Sequence, residues 1–212
     1  ASHDPECEAV VISTSGSSGR PVPVTLSVGN LEASARAVIA RLGLTARDRW
    51  LAVLSPAQVG GYALFDRSAR VGSTVVTWER FHAPEVADLL DSGEVTHASL
   101  VPVMLERLLA HREDRRAPPT LACLLVGGAE TPLPLLERAL SLDYPVALTY
   151  GLTEATSQVA TATPEEVRRC PGSVGRPLPG VELRIDSRGE ILVRGSTVER
   201  PSPPSRGGSA GR

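Results

Sequence analysis

Two segments that lie far apart in the chain carry residue types that could bind a polyphosphate and a divalent metal ion. The first covers residues 13–21 (STSGSSGRP) and follows the apolar run 9–12, which we predict to be a buried strand. Its glycines let successive amide hydrogens point at one anion, and its hydroxyl groups are further donors. The candidate phosphate-binding residues are Thr14, Ser15, Gly16, Ser17, Ser18 and Gly19. Without a Gly-Lys-Ser/Thr or a GxGxxG pattern, the segment alone also fits an ordinary turn.

The second segment covers residues 150–154 (YGLTE) and follows a predicted short strand at 146–149. Tyr150 offers a flat ring that a base could stack on, and Thr153 offers a hydroxyl group. Glu154 provides a hard oxygen ligand of the kind that Mg²⁺ prefers. Each of these residue types is also common in ordinary loops. The second segment therefore indicates a ligand-binding site only in combination with the first.

In this order, the two segments resemble the hallmarks of the adenylate-forming superfamily of acyl-CoA synthetases, luciferases and peptide-synthetase adenylation domains. Within it, residues 95–109 (VTHASLVPVMLERLL) resemble the Thr-His-x-Ser-Leu-Val-Pro signature of the o-succinylbenzoate–CoA ligases of menaquinone (vitamin K2) biosynthesis. Residues 124–129 (LLVGGA) resemble the adenine-side glycine turn, and residues 172–180 (GSVGRPLPG) resemble the loop after the magnesium motif. The resemblance covers about residues 8–198.

The resemblance implies an ATP-dependent acid–CoA ligase that uses ATP, Mg²⁺ and coenzyme A. The substrate carboxylate would attack the α-phosphorus of ATP, and CoA would then displace AMP from the acyl-adenylate. Thr153 would contact the α-phosphate, and Glu154 would hold the magnesium ion, so both are candidate catalytic residues. The candidate adenine-binding residues are Gly127, Gly128, Ala129, Tyr150 and Gly151, and the candidate substrate-binding residues are Gln58, Arg67 and Ser99.

Arg67 corresponds in this resemblance to an arginine with which some succinylbenzoate ligases bind a carboxylate. A planar guanidinium can hold a carboxylate through two hydrogen bonds, which suits a dicarboxylic aromatic acid. The alternative interpretation is a surface arginine with a solvated head group. Gln58 stands where the family has a histidine, and a glutamine can form hydrogen bonds but cannot titrate.

Several departures from the family pattern indicate that the chain by itself is inactive. The phosphate segment lacks the family's lysine and continues with Arg20 and a second proline, Pro23. The C-terminal lid domain that carries the family's catalytic lysine is expected to be absent. Three hypotheses therefore stay open: an acid–CoA ligase, for succinylbenzoate or another acid, that is incomplete as given; a nucleotide-binding pseudoenzyme; or a non-adenylating α/β domain.

Composition fits a soluble, cytoplasmic enzyme core and excludes several other classes. The 212 residues carry a net charge of −2, so no basic surface for nucleic acid is expected. No apolar run reaches the roughly 18 residues that a membrane span needs. Cys7, Cys123 and Cys170 are odd in number and widely spaced, which argues against a disulfide framework and a zinc site. The expected partners are a small carboxylic acid, ATP and CoA, and a homo-oligomer is possible.

The pattern of apolar residues predicts an α/β fold with a mainly parallel sheet and crossover helices. Predicted strands at 50–54, 73–77, 96–100, 121–126 and 146–149 alternate with predicted helices at 31–42, 61–71, 84–90, 102–111 and 133–142. Right-handed crossovers place ligands at the carboxyl ends of such strands, where both segments should meet. We predict an AMP-binding core over residues 1–180, incomplete at its start, then a β-hairpin region at 181–198 and a disordered tail at 199–212.

Overall fold

The computed structural model describes residues 4–14 and 22–199, which form an α/β fold around one seven-stranded sheet. The strands are β1 (Glu8–Thr14), β2 (Val22–Ser27), β3 (Arg49–Ala52), β4 (Thr74–Thr77), β5 (His97–Leu100), β6 (Cys123–Val126), β7 (Val146–Leu152), β8 (Ser157–Ala162), β9 (Arg176–Pro177), β10 (Val181–Ile185) and β11 (Ile191–Gly195). The helices are α1 (Val28–Leu42), α2 (Val59–Val71), α3 (Ala83–Asp91), α4 (Pro102–Arg112), α5 (Leu133–Ser141) and α6 (Pro164–Arg169), and residues Thr153–Ala155 form a 3₁₀ turn.

The main sheet confirms the predicted parallel architecture. Its strands stand in the order β4-β3-β5-β6-β7-β8-β9, and the pairs from β4 to β7 are all parallel. The chain runs outward from β3 to β4 and then returns to the other side of β3 with β5. The gap between β3 and β5 is therefore a topological switch point, where open α/β sheets bind ligands beyond the carboxyl ends of the strands.

Apolar side chains cover both faces of this sheet. One buried cluster joins the sheet to α3, α4 and α5 through residues such as Leu90, Leu108 and Leu136. The other joins it to α1 and α2 through Val38 and Leu64. The helices thus lie in two layers, as the alternation of strands and helices predicts.

The start of the chain differs from the prediction of a buried strand at residues 9–12. β1 pairs antiparallel with β2 in a separate two-stranded sheet, and within β1 only Ile12 is buried. β2 was not predicted, because Pro23 was assigned to the loop. A proline lacks a backbone N–H, but it is tolerated in an edge strand, and β2 pairs on one side alone. Val24 and Leu26 alternate inward from this strand as a half-buried strand requires.

The region after the second segment also differs from the prediction. β7 extends to Leu152, so Tyr150 and Gly151 lie inside a strand and not in the loop that follows it. The chain then turns back as β8, antiparallel to β7, and this strand was not predicted. Its sequence, SQVATA, combines small and polar residues and shows no apolar alternation, although five of its six residues are buried. Helix α6 and the short strand β9 were missed as well.

The predicted β-hairpin region is present. β10 and β11 pair antiparallel across residues 186–190, and Asp186 accepts hydrogen bonds from the backbone N–H groups of Arg188 and Glu190. Ile185, Ile191 and Leu192 are exposed on this hairpin. Apart from Glu199, the predicted tail lies outside the described residues. Within the described part of the chain, no helix is long and apolar enough to cross a membrane.

One side chain connects the beginning of α1 to the last described turn. Ser27 caps α1, accepting a hydrogen bond from the backbone N–H of Asn30, and its own N–H donates to Asn30 Oδ1 at 3.0 Å. The Nδ2 atom of the same asparagine donates to the carbonyl oxygens of Ser196 at 2.8 Å and Val198 at 3.0 Å. A single amide therefore completes the helix cap and fixes the segment that follows β11.

The three cysteines lie in different environments, which predicts a simple labelling pattern. Cys7 and Cys170 are exposed, whereas Cys123 is buried in β6 and burial raises the pKa of its thiol to about 12. Because the thiolate is the reactive form, we expect a thiol reagent at pH 8 to modify two cysteines of the folded chain rapidly. The third should react only after urea is added. Rapid reaction of all three without denaturant would contradict the position of Cys123 beneath α2.

Candidate active site

A cavity of about 440 Å³ opens at the carboxyl edge of the seven-stranded sheet, a size that suits a small-molecule ligand. It lies at the switch point between β3 and β5 and continues past the ends of β6 and β7. Candidate residues from five separate parts of the sequence line it: Thr14, Gln58, Arg67, Ser99, Gly127, Gly128, Gly151 and Thr153. The fold therefore brings together residues that the sequence separates by more than a hundred positions.

The two opening segments meet at this cavity. Ser13 and Thr14 reach it from the end of β1, and Thr153 reaches it from the turn after β7. The Thr14 hydroxyl donates to the carbonyl oxygen of Val22 at 3.3 Å, across the base of the β1–β2 hairpin. The hairpin thus aims the start of the phosphate segment at the cavity. The other candidates in that segment, Ser15, Gly16, Ser17, Ser18 and Gly19, lie outside the described residues, as does Arg20.

Gly151 shows why the second segment needs a glycine. A Cβ atom at this position would lie 1.7 Å from the carbonyl oxygen of Ser157 on the neighbouring strand β8. The pairing of β7 and β8 is irregular between Tyr150 and Gly151, and Thr156 and Ser157 adopt positive φ angles of 56° and 89°. This tight turn lets Gly151, Leu152 and Thr153 line the cavity in succession.

The remaining nucleotide candidates divide into two groups. Gly127 and Gly128 line the cavity directly after β6. Three other described candidates, Ala129, Tyr150 and Glu154, are not among the residues that line it. Tyr150 packs against the apolar cluster on the side of α1 and α2. The adenine role of Tyr150 and Ala129 stays a prediction.

Glu154 occupies the 3₁₀ turn directly after Thr153 and is partly buried. Its carbonyl oxygen accepts a hydrogen bond of 2.8 Å from the N–H of Glu199. Burial raises the pKa of Glu199, and the nearby Glu154 carboxylate adds to this effect. No sequence pattern connects these two acidic residues, because the contact depends on how the segment after β11 returns to the sheet.

Arg67 is the most unusual charged group beside the cavity. Its side chain is 2% exposed, so the alternative of a surface arginine with a solvated head group is wrong. Within the described ranges, its Nε and Nη2 atoms have no hydrogen-bond partner. The adjacent Asp66 forms its ion pair with Arg70 at 3.0 Å. Burial lowers the pKa of Arg67 to about 10, so the guanidinium remains charged at neutral pH.

Gln58 and Ser99 line the cavity on the two sides of the switch point, Gln58 from the loop between β3 and α2 and Ser99 from β5. Gln58 precedes α2, and its carbonyl oxygen accepts from the N–H of Tyr62 at 2.9 Å, while its side chain forms no cap hydrogen bond. Ser99 is 7% exposed at the end of β5. Both candidates therefore lie at the predicted edge of the sheet.

The structure adds a polar cluster that the sequence analysis missed. Thr149 and Gln158 line the cavity from the paired strands β7 and β8. The Gln158 side chain is 3% exposed, and its Oε1 atom accepts from the Thr161 hydroxyl at 2.6 Å. The Thr149 hydroxyl donates to the carbonyl oxygen of Ala160 at 2.9 Å. Recognition of β8 as a strand beside β7 is the signal that could have revealed this cluster.

Comparison with known proteins agrees with this geometry. The chain is 39% identical over 199 residues to the 2-succinylbenzoate–CoA ligase of Bacillus velezensis, covering 90% of this chain and 40% of that protein. The o-succinylbenzoate coenzyme A synthetase of Bacillus subtilis, in complex with ATP and magnesium ion, superposes with a TM-score of 0.85 at 35% identity, over 93% of this chain and 43% of that one.

A second structure of the Bacillus subtilis synthetase, in complex with the acyl-adenylate intermediate, gives the same TM-score of 0.85 at 34% identity over 93% of this chain and 42% of that one. The chain thus spans about two fifths of the length of these relatives. The sequence profile of the AMP-binding enzyme family matches residues 1–201. The chain therefore belongs to the AMP-binding enzyme family.

Proposed function

We propose that this chain is the ATP-binding and acid-binding part of an o-succinylbenzoate–CoA ligase of menaquinone biosynthesis. The observation that carries the proposal is the set of residues that line one cavity. Hydroxyl groups and glycine backbone suited to phosphates share the cavity with the buried guanidinium of Arg67, whose Nε and Nη2 atoms have no hydrogen-bond partner among the described residues. The resemblance of residues 95–109 to the succinylbenzoate ligase signature and the identity of the relatives support the same substrate.

The proposed reaction has two steps. A carboxylate oxygen of the acid forms a bond to the α-phosphorus of ATP, and the bond to the pyrophosphate oxygen breaks, so that pyrophosphate leaves with the electron pair. The CoA thiolate then attacks the acyl carbon, and AMP leaves as the thioester forms. Neither step requires a side-chain nucleophile. The residues must therefore bind, orient and neutralise charge.

Thr153 would donate a hydrogen bond to a phosphate oxygen, and Thr14 would do the same in exchange for its bond to the Val22 carbonyl. Gly127, Gly128 and Gly151 would leave room for the nucleotide. Glu154 would hold Mg²⁺, which offsets negative charge as the phosphorus–oxygen bond breaks. No group of three or more His, Cys, Asp or Glu side chains among the described residues could hold a metal ion alone. This fits magnesium that arrives with ATP, because such ions are bound by one or two carboxylates together with phosphates.

Arg67 would bind the carboxylate of o-succinylbenzoate that does not react. The guanidinium offers a fork of N–H donors that matches a carboxylate, and here two of its nitrogen atoms have no other partner among the described residues. Ser99 and Gln58 would complete the acid site at the switch point. We also propose that residues 1–180 form the AMP-binding core and residues 181–198 a hairpin region. The proposed location of the protein is the cytoplasm.

The nucleotide part is tested by ATP binding to the 212-residue chain with and without Mg²⁺. A neutral amide is a poorer ligand for a hard cation than a carboxylate. We therefore expect Glu154→Gln to weaken Mg²⁺-dependent ATP binding by about 10-fold, which titration calorimetry would measure. Glu165→Gln is the matched control, since the Glu165 side chain is 81% exposed on α6.

Equal ATP affinity and equal magnesium dependence in wild type and Glu154→Gln would overturn the metal role of Glu154.

The acid part is tested by titrating the ATP-loaded chain with o-succinylbenzoate and with benzoate. Equal binding of both acids would return the protein to a more general acyl-CoA synthetase.

A further inference from the structure

The buried charge of Arg67 lies in an apolar environment. Arg67 projects from α2 over the main sheet, where Leu64 of the same helix shares an apolar cluster with Trp50 and Cys123. The guanidinium has no carboxylate partner within hydrogen-bond distance among the described residues, and its Nε and Nη2 atoms are unpaired. An ion in this position needs another source of orientation if it is to meet a ligand in one fixed geometry.

A row of three side chains lies beneath Arg67. In the parallel register, Trp50 of β3 is opposite His97 of β5, and His97 is opposite Cys123 of β6. Residues directly opposite each other on neighbouring strands point to the same face of a sheet. The three side chains therefore form a floor under α2, at the back of the acid site.

Trp50 makes the closest approach to the charge. The central guanidinium carbon of Arg67 lies 4.9 Å from the centre of the Trp50 ring system. A cation over a tryptophan face is attracted by the ring quadrupole, and the attraction is strongest where water is excluded, as it is here. The face of a guanidinium can stack in this way while the N–H groups on its edge remain free to bind a carboxylate.

Trp50 also contacts the next side chain in the row, His97. Its ring lies 4.8 Å from the His97 ring, at an interplanar angle of 34°. The Thr96 hydroxyl lies 2.8 Å from His97 Nδ1, and His97 Nε2 lies 3.9 Å from Asp48 Oδ2. Burial lowers the pKa of His97, and the Arg67 charge lowers it further, against the opposing effect of Asp48. A neutral imidazole supports the indole without placing a second cation beside Arg67.

We propose that Trp50 is a positioning residue, which orients the Arg67 guanidinium and so determines the preference of the site for acids with a second carboxylate. This inference rests on the proposed function, because it assigns Arg67 to that second carboxylate. It adds a residue that does not touch the substrate. In this arrangement the tryptophan face replaces the acidic side chain that would otherwise pair with Arg67 and compete with the ligand.

A double-mutant cycle tests the proposal by calorimetry on the ATP-loaded 212-residue chain. The four proteins are wild type, Trp50→Leu, Arg67→Met and the double variant. Each is titrated with o-succinylbenzoate and with its analogue in which the succinyl carboxylate is a methyl ester. We expect Trp50→Leu to raise the Kd for the diacid about 10-fold and to leave the Kd for the ester and for ATP within about 2-fold. In the Arg67→Met background, Trp50→Leu should have no effect on the Kd for the diacid.

Three variants make the result specific. Trp50→Phe keeps an aromatic face and should recover most of the diacid affinity. Trp78→Leu changes the other tryptophan of the chain, which is 38% exposed, and should leave the diacid affinity unchanged. If Trp50→Leu does not fold, Trp50 is replaced by mono-, di- and trifluorotryptophan in a Trp78→Phe chain. Fluorine weakens the ring quadrupole with little change of shape, so the diacid affinity should fall stepwise.

Each outcome separates this inference from the proposed function. Loss of diacid affinity in Arg67→Met, together with an equal effect of Trp50→Leu in both backgrounds, overturns the positioning role and leaves the acid site standing. An unchanged diacid affinity in Arg67→Met overturns the assignment of Arg67 in the proposed function. A flat fluorotryptophan series would show that the ring face does not orient the guanidinium.

Discussion

Replacement of Arg67 by methionine is expected to stabilise the folded chain and, at the same time, to remove its affinity for o-succinylbenzoate. Burial lowers the pKa of Arg67 from its usual value to about 10, which disfavours the charged form by about 3 kcal/mol. This penalty acts at every pH below about 10 and disappears as the pH rises through the folded and then the unfolded pKa. Methionine fills a similar volume without a charge, although the stacking on Trp50 is lost.

The net gain should be roughly 1 to 2 kcal/mol, which corresponds to a rise in Tm of about 5 °C for a chain of this size. Two charge-assisted hydrogen bonds to the ligand are lost, so the Kd for the diacid should rise about 100-fold, while the Kd for ATP stays constant. Thermal unfolding and calorimetry measure the two effects on one preparation. Arg70→Met is the control, since Arg70 lies one turn further along α2 and pairs with Asp66. A large fall in Tm, or retained diacid affinity, would contradict the prediction.

The second large effect is expected at Gly61, where α2 begins against the loop that follows β3. A Cβ atom at Gly61 would lie 2.2 Å from the carbonyl oxygen of Ser55 and 2.8 Å from that of Leu54. Both obstacles are backbone atoms, so no side-chain rotation can relieve the contact. We expect Gly61→Ala to lower the free energy of unfolding by about 3 kcal/mol or more, because the loop and the helix must move apart.

Gly60, one residue earlier, is a matched control for this substitution. A Cβ atom there would meet the Leu54 side chain at 3.7 Å, which is an ordinary contact. Alanine also favours the helix over glycine by about 0.5 to 1 kcal/mol, so Gly60→Ala should be neutral or slightly stabilising. Urea unfolding of the three proteins provides the comparison. Both glycines line the cavity, so the two variants differ mainly in the steric contact of the added Cβ atom. Similar urea midpoints for the two variants would refute the close approach of α2 to Ser55.

The parallel sheet and its helices could be predicted from the sequence because their signals are local. Residues 73–77 are rich in β-branched side chains and residues 121–126 are apolar, both runs are bounded by turn residues, and the helices between them show regular apolar spacing. The carboxyl edge of the sheet follows from this topology alone. That is why Gln58, Ser99 and Thr153 were expected beside one cavity and do lie beside it.

The parts that could not be predicted depend on pairing between strands. β2 was missed because Pro23 interrupts its pattern, and β8 because its buried residues include Gln158 and Thr161. The environment of Arg67 could not be predicted from the sequence for the same reason. Whether an arginine on a helix is solvated or buried depends on which side chains of the sheet lie below it, and the row from Trp50 to Cys123 exists only through the register of three strands.

The amide of Asn30 has a consequence for the order in which the molecule forms. Its two hydrogen bonds join Asn30 to Ser196 and Val198, which lie 166 and 168 positions later in the sequence. Neighbouring parallel strands such as β5 and β6 join residues much nearer in sequence. Contacts of such long range form late, because the entropy of the whole intervening chain must be lost first. During synthesis, the local cap of α1 can therefore form early, whereas the Nδ2 atom of Asn30 lacks its two carbonyl partners until residues 196–198 have left the ribosome.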